Sequence, residues 1–224
     1  EIFPNSSKYT GYSSSNTIGE FFNSLICSTC EPTAILGGLN TEPVNYSTDL
    51  SSQKDSTIIA NSSSIEGKRG SENIGLAVFK GDTFIGELNA IETVCFLNMH
   101  NKIDGFLISV PYPEKANTYL DIYLTSDKST NIDVSIINDS PYIKIKAKFS
   151  GIIQSVTNDS NYLDSNLLDS ISSYCNRYLE STFLDYLYKT SIDFKSDINA
   201  IGKFASSEFF TIQEFENYNW LENY

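Results

Sequence analysis

The stretch YIKIKAKFSGIIQSV, residues 142–156, constrains the fold most, because apolar and lysine side chains alternate along it. The apolar positions of the alternating part are Ile143, Ile145, Ala147 and Phe149. A period of two places one set of side chains on each face of a β-strand. One face is then buried while the other meets water, as in antiparallel sheets. Gly151 predicts a bulge or bend within this strand.

A hairpin is predicted by the stretch GLAVFKGDTFIGEL, residues 75–88. Two apolar runs, 74–79 and 83–88, flank Gly81-Asp82, a pair that can adopt the backbone angles of a tight turn. Further strands are predicted at 33–40, 57–60, 103–110, 119–125 and 131–137. Because the last three precede the alternating strand with short turns between them, we expect an antiparallel meander.

Helices are predicted between and after these strands. The longest covers about 162–189, with an apolar stripe of Leu163, Leu167, Leu168, Ile171, Cys175, Tyr178, Leu179 and Leu187. Shorter helices are expected at 89–99, 197–206 and 211–218. The predicted class is therefore α+β: an antiparallel meander sheet with a long helix and shorter helices packed on one face, preceded by a smaller α/β segment.

Two short helices have a predicted buried face. The helix at 17–27, capped by Asn16 or Ser15, is expected to bury Ile18, Phe21, Phe22, Leu25 and Ile26. The helix at 89–99 is expected to bury Ile91, Val94, Cys95, and Leu97 or Met99.

Residues 40–71 are rich in serine and asparagine, which predicts a connection between two units. We therefore expect residues 1–71 to be part of a middle α/β domain with a flexible linker, and residues 72–224 to be a C-terminal α+β domain. Since the chain does not begin with Met, we also expect it to be a piece of a longer protein.

The formal net charge of −13 bears on the partners of the chain. Residues 1–71 contribute −3 and the remainder −10, and the basic cluster Gly67-Lys68-Arg69 is small. An acidic surface repels phosphate backbones, so nucleic acid is not expected as a partner. Binding to anionic lipid by charge alone is disfavoured for the same reason. No apolar run approaches the roughly 18 residues that a membrane-spanning helix needs.

The cysteines and the single histidine are the first candidates for chemistry. Cys27 and Cys30 have the CxxC spacing of zinc knuckles and thiol redox sites, yet no second ligand pair accompanies them. They stand at the end of a predicted helix, whereas a redox thiolate favours a helix start, so we interpret them as buried or paired structural cysteines. His100 is expected to be an exposed loop residue. No catalytic, cofactor-binding or metal-ligating residue is predicted, and no cofactor.

Two segments carry a family resemblance. They are GLAVFKGDTFIGELNAIET (75–93) and IGKFASSEFFTIQEFENYNWLENY (201–224), with a loose likeness in NTIGEFFNSLICSTCEPTAILGGL (16–39). Together they resemble the C-terminal domain of the Ger(x)C family, the lipoprotein C subunits of spore germinant receptors. Ile85 stands where Val is usual in that family. The chain is then expected to be a fragment with part of the middle domain and most of the last.

The resemblance implies a protein that is not an enzyme. It implies a lipid anchor outside the fragment, a place on the outer face of the spore inner membrane, and work with two integral membrane subunits, A and B, in nutrient sensing. Cys27 and Cys30 do not match the family's acylated cysteine.

The aromatic end of the chain is a candidate docking surface, because aromatic residues are enriched at interfaces. Its members are Phe204, Phe209, Phe210, Phe215, Tyr218 and Trp220. At helical spacing such residues are more often core. Two other hypotheses stay open: a secreted or surface carbohydrate-binding module, favoured by the aromatic content, and a thiol redox or hydrolytic enzyme.

Overall fold

The computed structural model describes residues 8, 10–40, 70–111, 119–156 and 165–224. Within them the chain forms two three-stranded antiparallel sheets and several helices. The strands are β1 Thr33–Asn40, β2 Gly70–Lys80, β3 Thr83–Leu88, β4 Gly105–Pro111, β5 Tyr119–Ile137 and β6 Ser140–Val156. The helices are α1 Ile18–Leu25, α2 Ala90–Met99, α3 Ser165–Tyr188, α4 Gly202–Ala205, α5 Ile212–Tyr218 and α6 Trp220–Asn223. The α+β prediction with antiparallel strands is confirmed.

The predicted hairpin forms the centre and one edge of the first sheet, in the order β1-β2-β3. Lys80 pairs with Thr83 across a two-residue turn in which Gly81 has a φ of 57°, a value that glycine adopts readily. β1 lies on the other side of β2, with Thr33 opposite Val78. Residues 33–40 therefore share a sheet with residues 70–88, while the division into 1–71 and 72–224 stays a prediction. The strand predicted at 57–60 lies outside the described residues.

The second sheet is the predicted meander, in the order β4-β5-β6. The two strands predicted at 119–125 and 131–137 are wrong as separate elements, because they form one strand of 19 residues. The buried side chains of both parts have even numbers, from Leu120 to Val134, so a continuous strand keeps them on the same face. Irregular pairing on both sides of Lys128 accommodates the polar residues between them.

The alternating strand β6 follows its prediction in most positions. Ile143, Ile145 and Phe149 pack against the core, whereas Ala147 is exposed opposite the irregular part of β5. The bulge predicted at Gly151 is wrong, since Gly151 pairs regularly with Leu124 and the shift in register falls nearer the end of the strand. A Cβ at Gly151 would lie 3.1 Å from side-chain atoms of Ile122 and Leu124, so this glycine leaves room for core side chains.

The helices depart from their predictions at the ends. α1 is capped by Thr17 rather than by Asn16 or Ser15, because Thr17 forms a reciprocal capping box with Glu20. The helix predicted at 197–206 begins only at Gly202, after a buried turn. A π-helical turn, Lys189–Asp193, ends the long helix, and its Lys189 forms a 2.8 Å ion pair with Glu92 of α2. The start of the predicted long helix, residues 162–164, lies outside the described residues.

Two predicted buried faces are partly open. In α1, Ile18, Phe22 and Ile26 are exposed, so the prediction that this face is buried is wrong for them. Phe21 instead packs edge-on against Phe79 of β2, with ring centroids 5.1 Å apart. In α3, Leu168 is exposed although it was expected in the apolar stripe. The predicted inner residues of α2 are buried, except Ile91, which is half-buried.

One hydrophobic core joins the inner faces of the sheets to the helices. It includes Leu76 and Leu88 of the first sheet, Phe106 of the second and Leu97 of α2. Tyr186 of α3 is also fully buried there, a position that the sequence pattern did not single out. The burial of these large side chains is the main favourable term for the fold.

Two neighbours on β4 test this assignment of faces. Phe106 is 1% exposed and Leu107 is 41% exposed. We expect Phe106→Ala to lower the free energy of unfolding by about 3–5 kcal/mol, because it removes a buried ring and leaves a cavity. The matched change Leu107→Ala should cost about 0.5 kcal/mol or less. Urea unfolding measures both, and equal losses would contradict the assignment.

Candidate functional site

A buried carboxylate, Asp197, organises the segment between the long helix and α4. Asp197 is 1% exposed, so its carboxylate is shielded from solvent. Oδ1 accepts a hydrogen bond from the N–H of Ile201 at 3.0 Å, and Oδ2 accepts one from the N–H of Gly202 at 2.7 Å. The indole Nε1–H of Trp220 donates to Oδ2 at 2.7 Å. One carboxylate therefore joins its own turn to the C-terminal helix α6.

Burial raises the pKa of Asp197 to about 6, while the hydrogen bonds from Ile201, Gly202 and Trp220 act to lower it. The donors surround the carboxylate from its own turn and from α6 and offset part of the cost of burial, so the carboxylate is mostly charged at neutral pH. The sequence contains one signal for this arrangement, because Asp is a common cap at a helix start. The predicted helix start at 197 was wrong, yet the Asp does bind the N–H groups where the helix begins.

The backbone of this turn, residues 196–202, also contacts three distant parts of the chain. We call it the Asp197 turn. The N–H of Glu31 donates to the carbonyl of Asp197 at 3.0 Å, and the hydroxyl of Ser196 donates to the carbonyl of Phe79 at 2.7 Å. His100 Nε2 lies 2.9 Å from the carbonyl of Ile198. The Asp197 turn thus connects the N-terminal segment, the first sheet and the end of α2.

The prediction that His100 is an exposed loop residue is wrong. His100 is the C-cap of α2 and is half-buried, with its ring centroid 4.4 Å from that of Phe96. Burial lowers its pKa, so the imidazole is neutral at pH 7 and its Nε2–H donates to the Ile198 carbonyl. These contacts give His100 a structural role.

The aromatic end of the chain divides into core and surface. Trp220 and Phe215 are buried, and Phe209 and Tyr218 pack half-buried beside them, so the core interpretation holds for these four. Their rings form a continuous series that ends at Tyr224. Phe204 is exposed, and Phe210 is 100% exposed. These two remain available for contact with a partner.

The outer face of the second sheet carries a shallow groove of about 520 Å³. It is lined by Leu107, Asp121, Tyr123, Gln154 and Ser155. The carboxylate of Asp121 accepts hydrogen bonds from Ser109 at 2.6 Å and from Ser155 at 2.5 Å, which holds it across the three strands. Its lining combines polar side chains with the apolar Leu107 and the ring of Tyr123.

The four cysteines occupy two kinds of environment. Cys95 and Cys175 are buried, as expected for structural cysteines, while Cys27 and Cys30 are half-buried in the turn between α1 and β1. Among the residues that the structure describes, no group of His, Cys, Asp and Glu could hold a metal ion.

In the same part of the chain, every helix is too short or too polar to cross a bilayer.

Comparisons with known proteins identify relatives of this fold. The family model described as "Spore germination B3/ GerAC like, C-terminal" matches residues 74–224, more than half of the chain. Among solved structures, the chain is similar to one titled "Crystal Structure of the GerBC protein", with 22% identity and a TM-score of 0.51. That likeness covers 69% of this chain and 48% of the other, so the chain spans about half the length of that protein. At this identity the likeness shows a shared fold. A comparison with curated proteins gave no significant match.

Two glycine substitutions test the packing at the Asp197 turn. A Cβ at Gly202 would lie 2.5 Å from the Trp220 ring and 2.9 Å from the carbonyl oxygen of Thr29. We expect Gly202→Ala to destabilise the fold by about 1–3 kcal/mol, because two packed segments must move. Gly19→Ala on α1 is the control, since its Cβ would meet little and should stabilise the helix by up to about 1 kcal/mol. Thermal unfolding that shifts both variants in the same direction would contradict this packing.

The pH dependence of stability tests the state of Asp197. Its pKa in the folded chain, about 6, lies above the ordinary aspartate value of 3.8, so the folded state binds the proton more tightly. Stability from this group is therefore full below pH 4 and decreases as the pH rises to 6, by about 3 kcal/mol in all. We therefore expect the unfolding free energy of the natural chain to decrease relative to that of Asp197→Asn as the pH rises over this range.

The control for the pH series is Asn176→Gln, which changes an exposed side chain that does not titrate. Its difference from the natural chain should stay constant between pH 4 and pH 6. Urea unfolding at each pH gives both differences. A constant difference for Asp197→Asn as well would contradict the raised pKa.

Proposed function

Because the chain belongs to the Spore germination B3/GerAC like, C-terminal family, we propose that it contributes to the assembly of a spore germinant receptor and to nutrient-triggered germination signalling. The family match over residues 74–224 is the main support for this proposal. This range contains the hairpin, the whole second sheet and every helix from α2 onward. The similarity in fold to GerBC supports it.

In this role the protein is a C subunit that performs no catalysis. Its partners are two integral membrane subunits, A and B, and a lipid anchor outside the residues 1–224 holds it at the outer face of the spore inner membrane. The net charge of −13 agrees with attachment through lipid and protein contacts, because an acidic surface gains nothing from anionic headgroups. Residues 72–224 act as its C-terminal domain.

The exposed part of the aromatic end is our candidate for contact with a receptor subunit. Phe204 and Phe210 are exposed, whereas Phe215 and Trp220 are buried and Phe209 is half-buried, so the exposed pair adjoins the packed aromatic series. An aromatic side chain has only two rotatable χ angles, so it provides a large contact area at a small cost in conformational entropy on binding, which suits a docking surface.

A carbohydrate-binding role is the second candidate, and the groove on the second sheet favours it. Tyr123 could stack on a sugar ring while Asp121 and Gln154 accept and donate hydrogen bonds at its edge. This role predicts that a soluble glycan perturbs the signals of β5 and β6 in a nuclear magnetic resonance titration. The receptor role predicts no such response.

Deletion of the gene tests the proposed function, in a strain whose other germinant receptor genes have been removed. We expect spores of this strain to lose the response to nutrient and to keep the response to a receptor-independent trigger. Reintroduction of the natural gene should restore the nutrient response. Germination is followed by the fall in optical density. A normal nutrient response after deletion would contradict the proposal.

A pair of variants in the same strain tests the docking surface. The double change Phe204→Ala and Phe210→Ala removes the exposed rings, and we expect a weaker nutrient response at an unchanged protein level. Ile212→Ala is the control, because Ile212 is an exposed apolar residue outside the aromatic set. A full response with the double variant would exclude this surface as the contact.

A further inference from the structure

The CxxC stretch, Cys27 to Cys30, lies in the turn between α1 and β1 and has unequal surroundings for its two sulfurs. The N–H of Thr29 donates to the Cys27 sulfur at 3.4 Å, and the hydroxyl of Thr29 lies 3.2 Å from the same atom. The N–H and the thiol of Cys30 also act on this sulfur, since both lower the pKa of the Cys27 thiol. Two consecutive residues, Thr29 and Cys30, thus direct donors at one sulfur.

These contacts change the acidity of the two thiols in opposite directions. Partial burial acts to raise the pKa of the Cys27 thiol, but the hydrogen bonds from Cys30 and Thr29 outweigh it, and the pKa is lowered. Burial and the hydrogen bond that Cys30 gives to Cys27 raise the pKa of the Cys30 thiol to about 12. The Cys27 thiol is therefore the more acidic of the two.

Cys27 follows the C-terminus of α1, and this position disfavours a thiolate only weakly. A helix C-terminus carries partial negative charge, which was the reason to expect structural cysteines here. That effect is weak at an exposed helix of eight residues, whereas the donors of Thr29 and Cys30 contact the sulfur directly. The local hydrogen bonds therefore replace the helix N-terminus that thiol redox sites commonly use.

The opposite side of the turn is held by the core. The N–H of Glu31 binds the carbonyl of Asp197, and the carbonyl of Thr29 lies against Gly202. The Glu31 carboxylate accepts a hydrogen bond from the N–H of Gly81 at 2.8 Å. These contacts hold residues 29–31, and with them Cys30, against the core.

We propose that Cys27 and Cys30 form a thiol–disulfide exchange site whose substrates are small or protein disulfides, with Cys27 as the attacking sulfur and Cys30 as the resolving one. The inference rests on the convergence of donors at Cys27 and on the contact between the two side chains. It does not depend on the receptor role.

The reaction takes place in two exchange steps. The Cys27 thiolate attacks one sulfur of the external disulfide, so a Cys27–sulfur bond forms, the external disulfide bond breaks, and one thiolate leaves. Cys30 then loses its proton to the departing thiolate or to water and attacks the Cys27 sulfur. The second external thiolate leaves as the Cys27–Cys30 bond forms. The protein loses two electrons and two protons, and the external disulfide becomes two thiols.

Equilibration of the reduced natural chain with reduced and oxidised glutathione tests the pair directly. After acid quenching and alkylation, mass spectrometry of the peptides gives the state of each cysteine. We expect a Cys27–Cys30 disulfide to form in one two-electron transition while Cys95 and Cys175 stay reduced. A pair that remains reduced throughout, or oxidises in parallel with Cys95 and Cys175, would overturn the proposal.

Single variants test which sulfur attacks. With Cys30→Ser we expect oxidised glutathione to leave a stable adduct on Cys27, because no resolving thiol remains. With Cys27→Ser we expect oxidised glutathione to react with Cys30 at least about tenfold more slowly than it reacts with Cys27 in the Cys30→Ser variant. An adduct that forms equally fast on Cys30 would overturn the assignment of roles. Thermal unfolding of both variants checks that each is folded.

A pair of changes that leave both sulfurs in place tests the role of the donors. Thr29→Val removes the hydroxyl but keeps the shape, and we expect the pH midpoint for alkylation of Cys27 to rise. Ser28→Ala alters an exposed side chain of the same turn and should leave the midpoint unchanged. Equal midpoints in all three proteins would show that Thr29 does not activate Cys27 and would contradict this part of the proposal.

Discussion

The hydrogen bond between the Asp197 carboxylate and the Trp220 indole is the contact on which the C-terminal part of the fold depends. A carboxylate that is 1% exposed is costly unless donors replace its water, and here the chain supplies three. Two donors come from the turn itself and one from the last helix. The arrangement therefore requires that the turn and the C-terminal helix be folded together.

The same turn explains why residues far apart in sequence meet at one place. Its backbone binds Glu31, its Ile198 carbonyl binds His100, and its Gly202 permits the close approach of Trp220. The buried aromatic series continues from Trp220 to the half-buried Phe209, next to the exposed Phe210. The candidate docking surface therefore lies next to the core. The turn that carries Cys27 and Cys30 also lies next to it.

Regular patterns in the sequence predicted much of the fold. The alternation in β6, the Gly81-Asp82 turn and the helix at 211–218 follow from local chemistry, and the structure confirms them. The long strand β5 was predicted as two strands because its middle is polar. Its two ends share one face, but this is known only from the pairing of β5 with β6. The open face of α1 was predicted to be buried because an apolar stripe does not tell whether a neighbour covers it.

The sites were harder to predict than the fold. His100 and Asp197 are ordinary residues in sequence, and their roles arise from carbonyl and N–H groups that lie close only after folding. The CxxC spacing was visible, but the Thr29 and Cys30 donors that distinguish its two sulfurs depend on the turn geometry. The family resemblance was carried by residues 75–93 and 201–224, and the family match over residues 74–224 confirms it.

Native-state hydrogen exchange in a Trp220→Phe variant tests most directly whether the Asp197 turn couples these segments. The change removes the indole donor to Asp197 and keeps an aromatic ring in the core. We expect faster exchange at the amides of Ile201 and Gly202 and also at Glu31, whose N–H binds the carbonyl of Asp197. Faster exchange confined to the C-terminal helix, with Glu31 unchanged, would contradict this coupling.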